Sequence, residues 1–495
     1  MKKPASCAGC AFYQDGQGFV PDELRDGAAV LIVGQNPGAE EVEQGRPFVG
    51  KTGQMMESKY LKDAGLTRED VSIGNAIRCR WRGTNELPKI NETLIRSALA
   101  HCHAAHFRLP ADIRLIIAQG DYAAMQLTGG TVGEWRGYVR PYVGINHGAI
   151  TEPWVPQRDS LPVLDTVHLA RLFREPSLTL PTRLDWAKVP RILAGKWPRK
   201  PPRFNLEAPQ EWPEVFAFDT EYWHEEGTAP TSARLTRWSA SWGTGDGETC
   251  VVETGHGTPG YGYIRTPPRV ITQYAPADVH HLARLTGTTW HEGRTRNHVR
   301  ALPSMGGDFS PWNRSDMASM PALRGAESHA SPTEPLLDAT SVWNRFLIED
   351  TVWKHAVLWS DHSHDLNYLG SLYSSFNRWK HLSESDPILY SGLDALGLLE
   401  VDRALERELD ADPQSRRVWE SIDRPALGEF VRAQYRGLRT DPSRVNEVVS
   451  QLTAETIDAQ RKAQAICGWP VNLASNPQVG HRLYDIEGLK PKRSL

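Results

Sequence analysis

Short apolar runs that end at glycine-containing or polar turns constrain the fold of this chain most strongly. Residues 29–34 (AVLIVG), 71–76 and 113–119 (IRLIIAQ) have the length and composition of buried β-strands. Residues 54–64 and 92–106 lie between these runs and have helical character. Because strands and helices alternate, the sequence predicts an α/β fold with a mostly parallel sheet. Ligands bind such sheets at the carboxyl ends of the strands.

Four short motifs follow or border these elements. They are GQNPG at 34–38, GRPFVG at 45–50, GNAIRCR at 74–80 and TVHLARL at 166–172. The first motif directly follows the first strand, so it is expected at the ligand-binding edge of the sheet. Each motif alone is typical of a turn or of core packing. Their order along one α/β unit predicts instead that they form a single site.

Together with a set of four cysteines, the motifs resemble family 4 uracil-DNA glycosylases, the iron–sulfur branch of that superfamily. The cysteines are Cys7, Cys10, Cys79 and Cys102. The resemblance covers roughly residues 5–190 and implies a three-layer α/β sandwich that removes uracil from DNA. Such an enzyme needs a pocket for a base that has rotated out of the stack. The pocket must also orient water and stabilise the departing uracil anion.

The resemblance implies a role for one residue of each motif. Asn36 would orient the water molecule, and Phe48 would stack on uracil, a contact that contributes about 1–3 kcal/mol. Asn75 would read the O4 and N3–H groups of uracil, which cytosine presents with opposite polarity. His168 would donate a hydrogen bond to uracil O2 as the anion forms.

Some positions depart from the family 4 pattern. Gln35 and Asn36 stand where Glu and a small residue are usual, so this motif looks more like that of the mismatch-directed and single-strand-selective relatives. Gln35 is expected to contact the substrate. Leu169 replaces the proline that usually follows the histidine, and Leu172 matches a position that inserts an apolar side chain into the duplex.

The cysteine content predicts metal ligation or buried thiols rather than a disulfide framework, because the chain has six cysteines in 495 residues and no secretory signal. The resemblance implies that Cys7, Cys10, Cys79 and Cys102 hold a structural [4Fe–4S] cluster. Zinc is the alternative for a four-thiolate set. Cys250 and Cys467 have no such partners in the sequence and are expected to be ordinary thiols.

A second resemblance begins near residue 216. The first and third motifs of DnaQ-like 3′–5′ exonucleases are similar to FAFDTE and YSGLD here, and their proposed catalytic residues are Asp219, Glu221, Tyr390 and Asp394. Two carboxylates two residues apart on a strand face the same side. The resemblance implies that they bind Mg²⁺ or Mn²⁺ ions, which activate water. The expected second-motif aspartate has only a poorly spaced candidate, Asp316 with Asn313, so exonuclease activity is left open.

The remaining sequence suggests further divisions. Residues 191–211 are rich in proline and basic side chains and predict a linker, and residues 212–405 are expected to form an RNase H-like α/β exonuclease domain. Residues 406–495 resemble the helical start of a family A DNA polymerase and are expected to end before the palm. Residues 256–346 show little apolar periodicity, which indicates disorder or an out-of-frame translation.

The sequence therefore predicts a DNA repair and replication protein: a uracil-DNA glycosylase module joined to an exonuclease and to part of a phage-type polymerase. The alternatives are a non-catalytic uracil- or DNA-binding module, and an exonuclease with an N-terminal scaffold. The expected partners are single-stranded or uracil-containing DNA and the remaining polymerase fragment. The net charge of −4 predicts that DNA binding uses local basic patches. No apolar run reaches the ~20 residues of a membrane helix, and a cytoplasmic location in a bacterial or phage-infected cell is expected.

Overall fold

A computed structural model of the chain describes residues 2–82, 92–144, 160–206, 212–223, 234–243, 248–254, 269–273, 275, 278, 347–436 and 441–489. The chain forms two compact units, residues 1–435 and 436–495. Most of the unusual segment 256–346, including Asn313 and Asp316, lies outside the described residues.

The N-terminal part of the first unit is built on a five-stranded sheet. Its strands and those of a small ribbon are β1 (Gly16–Gln17), β2 (Val30–Gly34), β3 (Val71–Asn75), β4 (Arg80–Trp81), β5 (Leu115–Gln119), β6 (Val139–Pro141) and β7 (Pro162–Thr166). The sheet has the order β3-β2-β5-β7-β6, and β1 pairs with β4. The pairings among β3, β2, β5 and β7 are parallel, whereas β6 is antiparallel to β7.

Helices cover this first sheet. They are α1 (Ala39–Gln44), α2 (Lys51–Met55), which continues as a π-helical segment (Met56–Leu61), α3 (Glu92–His106), α4 (Asp121–Thr128), α5 (Val132–Trp135), α6 (Thr179–Ala187) and α7 (Val189–Leu193). Every residue of β2, β3 and β5 is buried, which explains why these strands are nearly continuous apolar runs. Tyr60, Leu99 and Trp186 contribute large buried side chains to the surrounding core.

The carboxyl ends of the parallel strands lie at one edge of the first sheet. Gly34 and Asn75 are register partners at the ends of β2 and β3, and Gln119 and Thr166 are partners at the ends of β5 and β7. The motif at 34–38 leaves β2 at this edge, and His168 follows β7 by two residues. The sheet therefore places three of the four sequence motifs along the same edge.

A second sheet lies further along the chain. Its strands are β8 (Phe204–Asn205), β9 (Val215–Trp223), β10 (Arg234–Trp242), β11 (Thr249–Thr254), β12 (Arg269–Thr272) and β13 (Leu347–Asp350). They lie in the order β13-β12-β9-β10-β11-β8. In this sheet β13, β12 and β9 are parallel to one another. Strand β10 is antiparallel to both of its neighbours, and β8 is parallel to β11. This sheet is therefore mixed.

The helices that follow the second sheet are α8 (Thr351–Leu358), α9 (Leu366–Tyr373), α10 (Pro387–Ala411), α11 (Pro413–Val418) and α12 (Arg424–Arg436). Asp386 caps α10 by accepting a hydrogen bond from the Leu389 N–H at 3.0 Å, and Pro387 occupies the first turn. The hydroxyls of Ser239 and Ser241 donate to carbonyls of α10 at 2.8 and 2.7 Å. These bonds fix α10 across β10.

Hydrogen bonds join the two sheet-based parts of the first unit. The Asn377 side chain accepts from the Val139 N–H at 3.2 Å and donates to the Val139 carbonyl at 3.0 Å, as a neighbouring strand would. The Tyr138 hydroxyl donates to the carbonyl of Asn367 in α9 at 3.1 Å. The buried ammonium of Lys188 donates to backbone carbonyls of both parts. These contacts fix the position of α9 beside the first sheet.

The second unit is helical over its described residues. It contains α13 (Pro442–Cys467), α14 (Asn476–Gly480) and a π-helical segment (His481–Ile486). The Asp441 side chain caps α13 by accepting from the Ser443 N–H at 2.9 Å, and Gly468 ends the helix with a φ of 74°.

The prediction of an α/β fold with mostly parallel strands is confirmed for the first sheet. The predicted strands at 29–34 and 113–119 begin one and two residues later than expected, and the helix at 92–106 has the predicted bounds. The helix expected at 54–64 begins earlier, at Lys51. No described helix combines the length and the apolar character needed to cross a membrane. The RNase H-like and polymerase assignments, and the boundaries at 190, 211 and 405, stay predictions.

Candidate functional site

The end of β2 brings two predicted substrate-binding side chains together over the backbone of Gly34. A Cβ atom at this position would lie 2.6 Å from Asn75 Oδ1 and 2.7 Å from Cε2 and Cζ of the Phe48 ring. Asn75 and Phe48 are both buried. Because glycine has no side chain, it leaves the space in which this amide and this ring approach each other.

Phe48 is held in an uncommon backbone conformation. Its φ of 52° lies in the left-handed region, which is costly for a residue with a bulky side chain. The Phe48 N–H donates to Glu41 Oε1 at 2.6 Å, and its carbonyl accepts from Arg68 Nη1 at 2.9 Å. A Cβ atom at Gly53 would lie 1.8 Å from the same carbonyl oxygen. Hydrogen bonds and a close helix contact therefore fix the orientation of the ring.

Glu41 is a site residue that the sequence reasoning missed. Its carboxylate accepts from the Gly38 N–H and from the Phe48 N–H, each at 2.6 Å, and Asn75 Nδ2 lies 3.5 Å from Oε1. One side chain thus connects the 34–38 loop, the aromatic ring and the buried amide. The signal in the sequence is a glutamate at the third position of a helix that follows a turn, where a carboxylate caps backbone N–H groups.

His168 lies at the end of β7 with a defined tautomer. Its Nδ1 accepts from the Ala170 N–H at 3.3 Å, so a neutral ring carries its proton on Nε2. Burial, together with the positive charge of Arg174, lowers the pKa of His168 to about 4. The centroid of the imidazole lies 6.3 Å from that of the Phe48 ring. At neutral pH the site therefore presents an uncharged N–H donor.

Two adjoining compartments form the cavity at this edge of the sheet, and Asn36 and His168 line both of them. The smaller compartment, about 260 Å³, includes Phe48 and Glu41 in its wall. The larger compartment, about 590 Å³, is lined by Gln35 and by residues of two chain regions that lie far apart in sequence. The structure therefore brings the predicted residues of all four motifs to one place, with Asn75 beside the smaller compartment.

Leu172 does not suit the inserting role that the resemblance implies. Its side chain is buried in the core of the first sheet, and only 6% of it is exposed. The next residue, Phe173, is 58% exposed. Because the short 3₁₀ helix Leu169–Phe173 turns Leu169 and Leu172 inward, Phe173 is the large apolar side chain that this segment exposes.

Four of the cysteines line one small cavity, beside Lys3 and Arg78. These four are Cys7, Cys10, Cys79 and Cys102. The Cys102 thiol makes a hydrogen bond to Cys10 that lowers the pKa of Cys10 to about 6. A Cβ atom at Gly16 would lie 2.5 Å from Cys79 Sγ, so the ribbon strand β1 leaves room for this sulfur. The fold therefore gathers the four predicted ligands.

Four thiols can hold either of two kinds of metal site. A tetrahedral zinc binds four thiolates directly, with Zn–S bonds of about 2.3 Å. A four-iron cluster is larger and is also held by four thiolates. The donor set gathered here fits both groups, and Cys10 and Cys102 lie close enough for a hydrogen bond between their thiols.

Carboxylates form a second candidate site on the second sheet. One oxygen each of Asp219, Glu221 and Asp394 lies within 4.8 Å of the others. Burial and the charge of Asp394 raise the pKa of both Asp219 and Glu221, and Asp219 Oδ2 is buried without a hydrogen-bond partner. A divalent cation would offset this repulsion and bind the orphaned oxygen.

Asp278 is a further carboxylate near this cluster, and the sequence reasoning missed it. Its Oδ1 accepts from the Thr220 hydroxyl at 2.7 Å, and its charge contributes to the raised pKa of Asp219. Asp278 is 5% exposed. It lies on the chain between the first and third motifs, where a second-motif aspartate is expected, but nothing in the surrounding sequence distinguishes it.

Cationic and aromatic side chains surround Asp394. The Trp379 indole N–H donates to Asp394 Oδ1 at 2.6 Å, and the Lys380 ammonium forms an ion pair with the same oxygen. Lys380 Nζ also lies 3.2 Å from the Tyr390 hydroxyl. Tyr390 and Asp394 lie about one turn apart on α10, as predicted. The ammonium of Lys380 already neutralises part of the negative charge of the cluster.

Comparisons with known proteins agree with the N-terminal geometry. Residues 21–189 match the family model described as "Uracil DNA glycosylase superfamily". This range contains Asn36, Phe48, Asn75 and His168, so the N-terminal part of the chain is similar to that superfamily.

Individual relatives each resemble part of the chain. A type-4 uracil-DNA glycosylase of Thermotoga maritima is 34% identical over 110 residues, which are 22% of this chain and 52% of the relative. The type-4 uracil-DNA glycosylase of Sulfurisphaera tokodaii is 25% identical over 193 residues, which are 37% of this chain and 79% of the relative. The DNA polymerase I of a Synechocystis species is 29% identical over 105 residues, 21% of this chain and 11% of that protein. The chain thus spans about half the length of the first relative.

A solved structure titled "Brucella melitensis NrnC with bound Mg2+" covers 47% of this chain and 89% of its own, with 15% identity and a TM-score of 0.27. A TM-score this low does not support a common fold.

We predict that His168 stays neutral when the pH is lowered from 7 to 5, because burial lowers its pKa to about 4. An unfolded histidine titrates near about 6.5, so the unfolded state binds more protons between these values and His168 destabilises the fold as the pH falls. Ring-nitrogen NMR of ¹⁵N-histidine protein, assigned with His168→Gln, should show an Nε2–H tautomer at pH 5. A midpoint near 6.5 would contradict this.

Proposed function

We propose that the N-terminal part of this protein hydrolyses the bond between deoxyribose C1′ and N1 of uracil in DNA. The observation that carries the proposal is the convergence of the Asn75 amide and the Phe48 ring over Gly34, beside a cavity shared by Asn36 and His168. The match of residues 21–189 to the superfamily and the similarity to type-4 enzymes give independent support.

Uracil would be selected by the buried amide of Asn75. Its Nδ2 is oriented toward Glu41 Oε1, which leaves an acceptor and a second N–H for the N3–H and O4 of a stacked base. Cytosine carries an acceptor and a donor at the reversed positions, so its entry would leave buried polar groups unpaired. The fixed Phe48 ring would hold either base by stacking. Selectivity therefore depends on the amide.

Asn36 and His168 would have separate roles in bond cleavage. Asn36 would orient a water molecule toward C1′. A C1′–O bond forms as the C1′–N1 bond breaks, the electron pair of the broken bond stays on the uracil, and the proton lost by the water neutralises the uracil anion. The Nε2–H of neutral His168 would donate a hydrogen bond to O2, where negative charge accumulates. Because this donor is already in position before the reaction begins, it would stabilise the charge as it forms. The nearby charge of Arg174 adds a favourable potential. The products are uracil and an abasic site.

We also assign to Phe173 the inserting role that the resemblance gave to Leu172. An exposed aromatic side chain next to the cavity can fill the space left by a base that has moved into the pocket. Phe173 directly precedes Arg174, which lines the larger compartment. The departures at Gln35 and Leu169 support the alternative of a module that binds uracil-DNA without cleaving it.

We predict that the full chain releases uracil from a single-stranded uracil oligonucleotide, and that Asn36→Ala slows this at least about 100-fold because the water loses its positioning group. Alkaline cleavage of the abasic product on a gel measures the rate. Asn205→Ala, an exposed asparagine far along the chain, is the matched control and should retain full activity. The non-catalytic alternative would be favoured if the unaltered protein and both variants bind uracil-DNA with the same high affinity and leave it uncut.

We propose that the four-cysteine cavity holds a structural [4Fe–4S] cluster. This assignment is supported by the four thiols around one cavity, by the neighbouring positive charges of Lys3 and Arg78, and by the similarity to type-4 uracil-DNA glycosylases. None of the four sulfurs lines the larger or the smaller compartment among the described residues. The cluster would therefore hold the N-terminal segment against α3 rather than take part in cleavage.

We predict that protein purified without oxygen is brown, absorbs near about 400 nm and contains roughly four iron atoms per chain. Cys79→Ser should lower both the absorbance and the iron content, because it removes one thiolate. Cys467→Ser, at a cysteine outside the cavity, should leave both unchanged. Stoichiometric zinc in a colourless protein would contradict the assignment.

A second activity is supported by the carboxylate cluster of the second sheet. We propose that Asp219, Glu221, Asp278 and Asp394 bind divalent cations for 3′–5′ exonuclease cleavage, with Tyr390 beside them. When bound, such ions activate water and stabilise the leaving oxygen. The residues 212–405 would then be the exonuclease domain and 406–495 the start of a polymerase domain, which the similarity to a DNA polymerase I supports.

We predict that Mn²⁺ binding, followed by electron paramagnetic resonance, weakens at least about tenfold in Asp278→Asn, because a ligand charge is lost at a buried site. Release of 3′ nucleotides from single-stranded DNA should need Mg²⁺ and disappear in Asp219→Ala. Asp410→Asn, which alters a carboxylate that is 75% exposed, is the control. Unchanged Mn²⁺ affinity in Asp278→Asn would show that Asp278 is not a ligand of the ion.

A further inference from the structure

The larger compartment of the cavity has a wall that the first sheet does not supply. Tyr368, in α9, lines it together with Gln35, Asn36 and His168. Sequence position gives no hint of this contact, because about 200 residues separate His168 from Tyr368. The part of the chain built on the second sheet thus contributes one side chain to the cavity of the proposed glycosylase.

Tyr368 is fixed in place from three directions. Its hydroxyl lies 2.6 Å from His362 Nδ1, its carbonyl accepts from the Ser371 hydroxyl at 2.6 Å, and the Arg136 guanidinium lies 5.3 Å from the ring centroid. The Arg136 guanidinium is itself held by Asp185 at 2.8 Å. The ring is partly exposed, and its contacts with His362 and Arg136 restrict its movement. A fixed aromatic ring is a ready surface for stacking.

The charges of this compartment suit a nucleic-acid strand. Arg136, Arg171 and Arg174 line it, whereas Asp121 is its acidic residue among those described. Asp121 accepts from the Val132 N–H at 2.9 Å, and Arg171 forms an exposed ion pair with Glu175 at 2.8 Å that a phosphate would share or displace. Guanidinium groups bind phosphate oxygens with paired N–H donors. Basic side chains beside an aromatic ring are the combination that binds a single strand through its phosphates and bases.

The sizes of the two compartments indicate which part of the strand each receives. The smaller one, about 260 Å³, has Phe48 in its wall and would take the extruded uracil. The larger one, about 590 Å³, is within the range of pockets that enclose a ligand of nucleotide size. Because Asn36 and His168 line both, a nucleotide in the larger compartment would be adjacent to the uracil in the same strand.

We propose that Tyr368 stacks on the base of the nucleotide next to the extruded uridine, while Arg171 and Arg174 bind its phosphate. This inference rests on the proposed glycosylase function, since it assumes that the strand enters at Asn36 and His168. Substrate binding would then require both parts of the first unit. Tyr368 would be a positioning residue for the strand rather than a participant in bond cleavage.

The test pairs changes in the protein with changes in the DNA. Affinity is measured by fluorescence anisotropy with the full chain and a single-stranded oligonucleotide that carries one 2′-fluoro-deoxyuridine, which resists cleavage. Two further oligonucleotides lack the base on the 5′ or on the 3′ side of this nucleotide. The variants are Tyr368→Ala, Tyr368→Leu, which keeps apolar bulk, and Tyr368→Phe, which keeps the ring. Tyr484→Ala, at an exposed tyrosine of the second unit, is the control.

We predict that Tyr368→Ala and Tyr368→Leu weaken binding of the complete strand at least about fivefold, the lower end for a lost base–aromatic stack. Tyr368→Phe and Tyr484→Ala should bind like the unaltered protein. The loss should vanish with one of the two oligonucleotides that lack a neighbouring base, because the stacking partner is already absent. A loss of the same size with every oligonucleotide would overturn the inference and leave Tyr368 a structural residue.

The experiments distinguish a failure of the glycosylase proposal from a failure of the stacking inference for Tyr368. If the unaltered protein releases no uracil, the glycosylase proposal fails, whereas the anisotropy series needs no cleavage and still decides the role of Tyr368. If uracil is released and the series shows no dependence on the neighbouring bases, only the stacking inference fails. The melting temperature of each variant is measured alongside, and Tyr368→Leu decides the outcome if Tyr368→Ala lowers it.

Discussion

The candidate active site depends on the close approach of three chain segments at Gly34. The last residue of β2 has no side chain, so the Phe48 ring and the Asn75 amide occupy the space where a Cβ would lie. The Glu41 carboxylate then joins these groups by accepting from the Phe48 N–H and approaching Asn75 Nδ2. The strained φ of Phe48 persists because these contacts over-determine it. Any side chain at position 34 would separate the ring from the amide.

The second constraint is the contact between the two sheet-based parts of the first unit. Asn377 pairs with the free edge of β6, and His381 packs against Trp135 with ring centroids 5.8 Å apart. The neighbouring Trp379 and Lys380 bind Asp394 of the carboxylate cluster. One short segment therefore contacts α5, which borders the larger compartment, and also contacts the proposed exonuclease site. The two proposed activities share a rigid structural connection.

The sequence predicted those features that depend on local pattern. Buried strands, the helix at 92–106 and the convergence of the four motifs follow from apolar runs and from the geometry of parallel sheets. Asp278 and Tyr368 were missed because their roles depend on where distant backbone segments meet, which residue spacing does not encode. The position of Glu41 at the third residue of a helix indicates a capping role, but not its contacts with Phe48 and Asn75. Leu172 was predicted from its position in a motif, but replacement of the usual proline by Leu169 accompanies a 3₁₀ turn that buries Leu172 and exposes Phe173.

One extruded uracil would stack on Phe48, with its edge at the Asn75 amide and its O2 at His168. A crystal structure of the protein soaked with free uracil tests this most directly. We expect density for the ring stacked on Phe48, with the Asn75 amide facing O4 and N3 and with His168 Nε2 within hydrogen-bond distance of O2. Uracil bound elsewhere, or an empty pocket at a saturating concentration, would contradict it.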